Sequence, residues 1–420
     1  MTKIISNKSN IDLDYPICRP SLDLDFTQEV LDPRITFSRG SIGTRVNRNR
    51  LIETVSANQP RFDHNPVTGE SLGLLVEESR SNLQIYSEDF SQGVWSKVNS
   101  SINSNVITAP DGSTNAEKLI ESLDASTTFH ILNNSGFSAT SGTSYTYSIF
   151  VKAAERTKVI IGFDIGSAFS NYQYGLYDLS AGTSSIFLGT PTLSITSYPN
   201  DWYRCSVTAT ATGTATAPYG LQLYTTYNGY IGNGTSGLFV WGAQLELGSF
   251  PTSYIPTVAS TRTRAADNAR ITGKNFSEWY RPDEGTIYSK QTFNGTLPNE
   301  NYGSVWAINN YPNDIVMTYN PNNFAGFFVR NNYVVQVSSS PTVNVKVPFK
   351  NIVTVKTKDF VQISNVFSPQ TNTSGVLPNV VGPFVIGGSA SNGIKGSQTI
   401  SRLTYYPKRL PNAQLQALTR

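Results

Sequence analysis

An all-β chain folded as tandem β-sandwiches is the predicted class, and three observations carry it. Short runs rich in β-branched and aromatic residues recur at intervals of roughly 10–15 residues between Trp95 and Leu247, separated by Gly, Asn and Ser. No segment of that region keeps a helical period over about ten residues. Charged residues make up only 15% of the chain, against ~25% in ordinary soluble domains. Ser, Thr, Asn, Gly and Tyr fill the difference, small polar residues suiting turns and rings suiting pleated faces. At 420 residues the chain exceeds one ordinary core, so two or three domains are expected.

Residues 1–20 are polar, carry Pro16 and Pro20, and read as an extended arm or attachment segment. A β block follows over 21–90. Leu22-Asp23-Leu24-Asp25-Phe26-Thr27 alternates apolar and polar residues, the pattern of a half-buried strand, and Ile35-Thr36-Phe37-Ser38 is another. Gln59 to Glu70 has little periodicity and dense turn chemistry, so it is expected as a loop. Gly73-Leu74-Leu75-Val76-Glu77 is a short strand.

The segment 91–260 contains the clearest strands, Tyr145–Lys152, Val159–Asp164 and Tyr172–Asp178 among them, and two sheets packed face to face are the expected outcome. It closes with Leu238–Glu246, whose apolar residues occupy both faces, and with Pro251 and Pro256 on either side of Tyr254, which fix an extended exit. Arg262-Thr263-Arg264-Ala265-Ala266-Asp267 is polar and unpatterned, so 261–275 is expected as a linker. A second sandwich is expected over 276–420, ending in a short helix that Pro411 starts and that carries Leu415 and Leu418 on one side.

Three stretches carry a family resemblance. Pro60-Arg61-Phe62-Asp63, Gly73-Leu74-Leu75-Val76-Glu77-Glu78 and Ser87-Glu88-Asp89-Phe90, in that order and spacing, resemble the recurring amino-terminal block of tailed-bacteriophage virion proteins. Arg45-Val46-Asn47-Arg48-Asn49-Arg50 departs from that block by being more basic. Trp202 to Thr257 resembles the end of a carbohydrate-binding-module-like jelly roll found in such proteins. Tyr405-Tyr406-Pro407-Lys408-Arg409-Leu410 and the helix after it resemble the carboxy end of a concanavalin-like, laminin-G-type sandwich. The resemblance implies a jelly roll followed by a concanavalin-like sandwich.

The composition excludes several chemistries. The formal net charge is +3 with no basic block, so nucleic acid is not an expected partner. No run approaches the ~20 apolar residues of a membrane span, and Met1–Lys8 lacks the apolar core of a secretory signal. Cys18 and Cys205 lie too far apart to read as a disulfide framework, and Cys205, alternating with Tyr203 and Val207, reads as a buried free thiol of a protein made in a reducing cytosol. No Cys or His cluster has metal-ligand spacing. His64 reads as part of a turn in which Asp63 and Asn65 bond local backbone, and His130 as a strand residue. Asp23 and Asp25 read as an exposed polar face, and Glu77 and Glu78 point to opposite sides of their strand. With no nucleophile elbow and no paired carboxylates, no catalytic residue is assigned and the chain is expected not to be an enzyme. No cofactor is expected; a structural Ca²⁺ is allowed by the resemblance, although no dense acidic loop is present.

The aromatic pattern points to sugar. Between Tyr219 and Thr235 rings are interleaved with amides and glycines, and Asn228-Gly229 marks a turn with Tyr227 and Tyr230 beside it. Exposed rings stack on the C–H faces of sugars while amides bond hydroxyls, so Tyr224, Tyr227, Asn228 and Tyr230 are the candidate carbohydrate contacts. The opposing reading packs these rings against their neighbours. Trp202, Trp241 and Trp306 read as core.

The resulting expectation is a non-catalytic virion protein, made in the host cytoplasm and acting outside cells. It would be a tail-fibre or baseplate adhesin for host surface glycan, joined to other virion proteins through residues 1–20. Weak sites call for avidity, so a homo-oligomer is expected, with a trimer favoured by the resemblance. The alternatives are a capsid-decorating or head-fibre protein with a purely structural role and, third, a glycan depolymerase.

Overall fold

In the strand Ser144–Ala153 every residue from Tyr145 to Val151 is buried, because both faces of its sheet are covered. Tyr147, Ile149 and Val151 face the core of a sandwich, while Phe150 faces the other way into a separate cluster with Trp202, Trp241 and Tyr254. The computed structural model describes residues 18–295, 303–320, 324–344, 347–365, 367–388 and 396–420. The expected attachment segment therefore lies outside the described residues up to residue 17. The regular structure of the described residues is nearly all strand, with short α-helices at Lys274–Ser277 and Asn412–Thr419.

The central unit is a sandwich of two six-stranded antiparallel sheets. One runs in spatial order Thr192–Tyr198, Trp202–Thr210, Ser144–Ala153, Gly237–Leu247, Ala116–Glu121 and Ser100–Ile107. The other runs Thr183–Leu188, Gln173–Asp178, Lys158–Phe163, Ala215–Leu223, His130–Ala139 and Trp95–Val98. Residues such as Val159, Ile161, Tyr219 and Leu221 of the second sheet meet Tyr147, Val207 and Leu245 of the first, and Cys205 is fully buried among them. Trp202 and Trp241 are buried as expected, but on the back of the first sheet, where Trp241 meets Tyr254 with ring centroids 4.7 Å apart.

The other sandwich is not built from 276–420 alone. Its eight-stranded sheet is ordered Gln370–Asn372, Phe360–Ser364, Phe349–Lys356, Glu284–Phe293, Ser397–Tyr406, Ser71–Glu77 and Arg61–His64, with Leu22–Asp25 also paired to Ser397–Tyr406. Leu22 lies opposite Tyr405, and Leu75 opposite Thr399. The facing seven-stranded sheet places Thr36–Ser38 at one edge against Asn268–Ile271. The two ends of the chain thus make one sandwich, and the central unit is inserted into it. The insert leaves through Arg80–Asn82 and returns through Arg262–Arg264, which pair with each other. The terminal helix buries Leu415 against Ile352, Ile363 and Leu410.

Two expectations are corrected here. Residues 261–275 are not a linker: they contain the strands Arg262–Arg264 and Asn268–Ile271 and a helical turn. Residues 59–70 are not all loop, because Arg61–His64 is a strand on the edge of the large sheet, and only the turn after it, where Asn65 Oδ1 accepts from Val67 and Thr68 amides, matches the turn chemistry. His64 is accordingly buried, its ring nitrogens facing Val46 O (3.1 Å) and Glu29 Oε1 (3.0 Å), and Asp63 reaches across to accept from the Val46 amide at 2.7 Å.

Both corrections have one physical cause, a fully buried ionic network at the junction of insert and host. Asp267 receives Arg39 at 3.0 Å and Arg61 at 2.5 Å; Glu77 receives Arg61 at 2.8 Å and Arg264 at 3.1 Å. Ser253, on the insert's exit segment, donates its amide (2.9 Å) and hydroxyl (2.6 Å) to Glu77. Burial alone would raise the Glu77 carboxyl, but the guanidiniums of Arg264 and Arg61 with these serine bonds hold it well below the usual range. Charges that look like a solvated face in the sequence are here matched in the interior, where each needs its partner.

Candidate functional site

The outer face of the sheet Thr183–Leu188 to Trp95–Val98 carries an apolar-lined hollow of about 410 Å³. Its shape follows from register. Across neighbouring strands Tyr174, Gly162, Gly220 and Asn133 lie opposite one another in one row, and Leu176, Ile160, Gln222 and Ile131 in the next. Two glycines side by side leave the middle of the floor without side chains. Both also lie so near the backbone of the next strand, Gln173 O for Gly162 and Leu132 O for Gly220, that a Cβ there would collide.

The walls come from loops. After Leu223 the chain crosses one end of the sheet, with the Tyr224 amide donating to Lys158 O at 3.2 Å, and then reaches the segment before His130, where Thr128 and Tyr230 exchange backbone hydrogen bonds of 3.1 and 3.0 Å. Gly229 makes this crossing: its φ is +81°, and a Cβ would collide with Thr128 O. The crossing sets Tyr227 and Phe129 at one end of the hollow, with Phe187 on the side, 5.6 Å from the Tyr227 ring. Asp164, Ile165 and the paired rings of Tyr172 and Tyr174, 5.1 Å apart, line the opposite part.

Rings and polar atoms converge here as they do in ligand sites. Tyr227 is 64% exposed and Phe129 41%. Tyr174 donates its hydroxyl to Asp164 Oδ1, and burial together with that carboxylate pushes the phenol far above its ordinary value. Asn133 Oδ1 is buried without a hydrogen-bond partner. Asp164 is the one carboxylate in the lining.

The four sequence candidates separate. Tyr227 lines the hollow, and Asn228 is exposed at the tip of the same turn. Tyr224 is half-buried behind the wall, its ring 5.5 Å from Phe187. Tyr230 turns inward: its hydroxyl donates to Glu121 at 2.8 Å, its ring lies 4.5 Å from His130, and Arg156, which clamps Glu121 at 2.6 and 2.7 Å, covers its face. Tyr230 therefore anchors the loop that presents Tyr227. Sequence reading missed Asn133, Asp164, Phe187 and Gln222, which join only through the pairing of strands distant in the chain.

A second hollow of about 340 Å³ lies between the insert and the hairpin Gly43–Val46 with Ile52–Val55. Its carboxylates are already engaged: Glu88 accepts from Tyr254 (2.9 Å) and Asn115 (3.1 Å), Glu53 from Arg45 (3.2 Å), and Asp111 from Ser113 (2.7 Å). Among the described residues no group of three or more His, Cys, Asp or Glu side chains could hold a metal ion, and no helix is long and apolar enough to cross a membrane.

The sequence matches no protein-family profile and no curated protein. Solved structures with similar parts include the carbohydrate-binding module CBM40 of a Ruminococcus gnavus sialidase bound to sialyllactose, at 15% identity and a TM-score of 0.27 over 33% of this chain and 84% of that one. A Trypanosoma rangeli sialidase is similar at 11% identity and a TM-score of 0.30 over 88% of this chain and 81% of that one. Domains LG4-5 of the mouse laminin α1 chain are similar at 11% identity and a TM-score of 0.25 over 70% and 95%. Similarity of this degree carries no functional information.

Proposed function

We propose that this chain is a non-catalytic glycan-binding protein that takes an oligosaccharide into the hollow on the outer sheet of its inserted jelly roll. The observation that carries the reading is the meeting of Tyr227, Phe129, Phe187 and Tyr172 with Asn133, Gln222 and Asp164 around a glycine floor. Rings stack on the apolar faces of pyranoses, and the floor glycines let a sugar approach the backbone. A single carboxylate in the lining supports binding without hydrolysis, since most glycosidases need two at a set separation. The resemblance of Leu22–Phe90 and Trp202–Thr257 to tailed-phage virion proteins supports the finer reading, a tail-fibre or baseplate adhesin for host surface glycan that gains avidity from several copies.

A glycan array that includes host lipopolysaccharide, probed with wild type and Tyr227→Ala, tests it. Loss of an exposed ring from the wall of the hollow is expected to weaken binding roughly tenfold, about 1.4 kcal/mol, with no change in melting temperature. Binding that the variant keeps in full would move the site elsewhere. No binding at high multivalent density would leave the structural role, capsid decoration or a head fibre, as the better reading, one that the rigid ionic junction between the two sandwiches also suits.

A further inference from the structure

We infer that the hollow selects neutral saccharides and rejects acidic ones, an inference that rests on the glycan-binding reading above. The lining contains no Lys, Arg or His, and its one charged side chain is Asp164. Two cations close in the chain to the lining strands have carboxylate partners. Lys158, two residues along the strand from Ile160, pairs with Asp178 at 3.2 Å, and Arg156 is clamped by Glu121 on the far side of the Tyr224–Tyr230 loop.

Two acceptors in the lining are matched to donors on a ligand. Asn133 Oδ1 is buried with no partner, and Tyr174 occupies only one oxygen of Asp164. An orphaned buried acceptor costs free energy until something donates to it. Hydroxyl groups of a neutral sugar can donate to both. A uronate, sialate or sulfate group offers acceptors only, brings a like charge toward Asp164, and must leave water with no guanidinium or ammonium to receive it.

The test is the full-length protein on an array of paired neutral and uronic- or sialic-acid-bearing glycans, followed by calorimetry in 50 and 500 mM NaCl on the best ligand. Neutral glycans are expected to bind at least tenfold more tightly than their acidic partners, with affinity unchanged by salt. Asp164→Lys, on the rim of the hollow, is expected to narrow or reverse that ratio. Acidic glycans binding as well as neutral ones, with Tyr227→Ala still weakening both about tenfold, would overturn the selectivity while leaving the glycan site in place. Binding of neither class, or binding indifferent to both Tyr227→Ala and Phe129→Ala, would overturn the site and the selectivity together.

Discussion

Glu77→Ala is the perturbation that weighs the buried junction. The wild-type carboxylate receives Arg61 at 2.8 Å, Arg264 at 3.1 Å, the Ser253 amide and hydroxyl at 2.9 and 2.6 Å, and the Ser397 hydroxyl at 3.0 Å. Alanine removes the acceptor and leaves two guanidiniums without exposed surface: Arg61 keeps Asp267 and Thr44 O, and Arg264 keeps Glu78 O and the hydroxyls of Thr252 and Ser253. Breaking a buried pair from one side costs about 3–5 kcal/mol. The serine bonds add to this less than their separate worth, because all belong to one network. Against a usual stability of about 5–15 kcal/mol, a loss near 4 kcal/mol is expected. It would be read as a lowered urea midpoint, with buried Trp202 and Trp241 as fluorescent reporters. The pH dependence supplies a second readout. A carboxyl depressed in the folded state stabilises above its ordinary value of 4.5 and loses that contribution as the pH falls through its folded value, so the gap between wild type and variant should shrink in acid below 4.5. A loss under about 1 kcal/mol at neutral pH, or a gap constant down to strong acid, would refute the claim that this network locks the sandwiches together.

Asp63 works in the opposite sense: burial raises its carboxyl from 3.8 to about 6, so its share of stability is present below 3.8 and lost as the pH rises through about 6. Asp63→Asn, which can still accept from the Val46 amide, should remove that slope and raise the neutral-pH urea midpoint; an unchanged or lowered midpoint would count against it. Tyr230→Phe deletes the hydroxyl bond to Glu121 and should cost about 1–2 kcal/mol of stability with glycan affinity held within twofold, measured by thermal melts and calorimetry. Gly220→Ala puts a methyl group against Leu132 O in the floor, so binding should weaken and the melting temperature fall, by about 1–3 kcal/mol of overpacking.

What the sequence disclosed was local. Tyr145–Lys152 and Leu238–Glu246 showed their strands because apolar residues on both faces leave no other periodicity, and Pro411 with Leu415 and Leu418 marked the last helix. The pairing of Leu22–Asp25 with Ser397–Tyr406 had no local signal, since nothing in an alternating pattern names its partner. Arg264 and Asp267 misled for a related reason: a charge reads as solvated until the opposite charges that bury it, Glu77 and Arg61, are brought to it from elsewhere. The site divides the same way. Tyr227 was legible because Asn228-Gly229 marks a turn, whereas Asn133, Asp164 and Phe187 belong to the hollow only through register.

The pairing of Arg80–Asn82 with Arg262–Arg264 also bears on how the chain can assemble. The host sandwich must bring together segments about 180 positions apart, a large loop to close from an unfolded chain. The insert is complete within that loop, and once formed it delivers the two strands already side by side. Shrinking the open loop from about 180 residues to about ten spares roughly 2–3 kcal/mol of closure entropy. The same adjacency makes the jelly roll an exchangeable cassette: a different module whose ends meet at the same spacing could be spliced between Asn82 and Arg262 while the host retained its strand order.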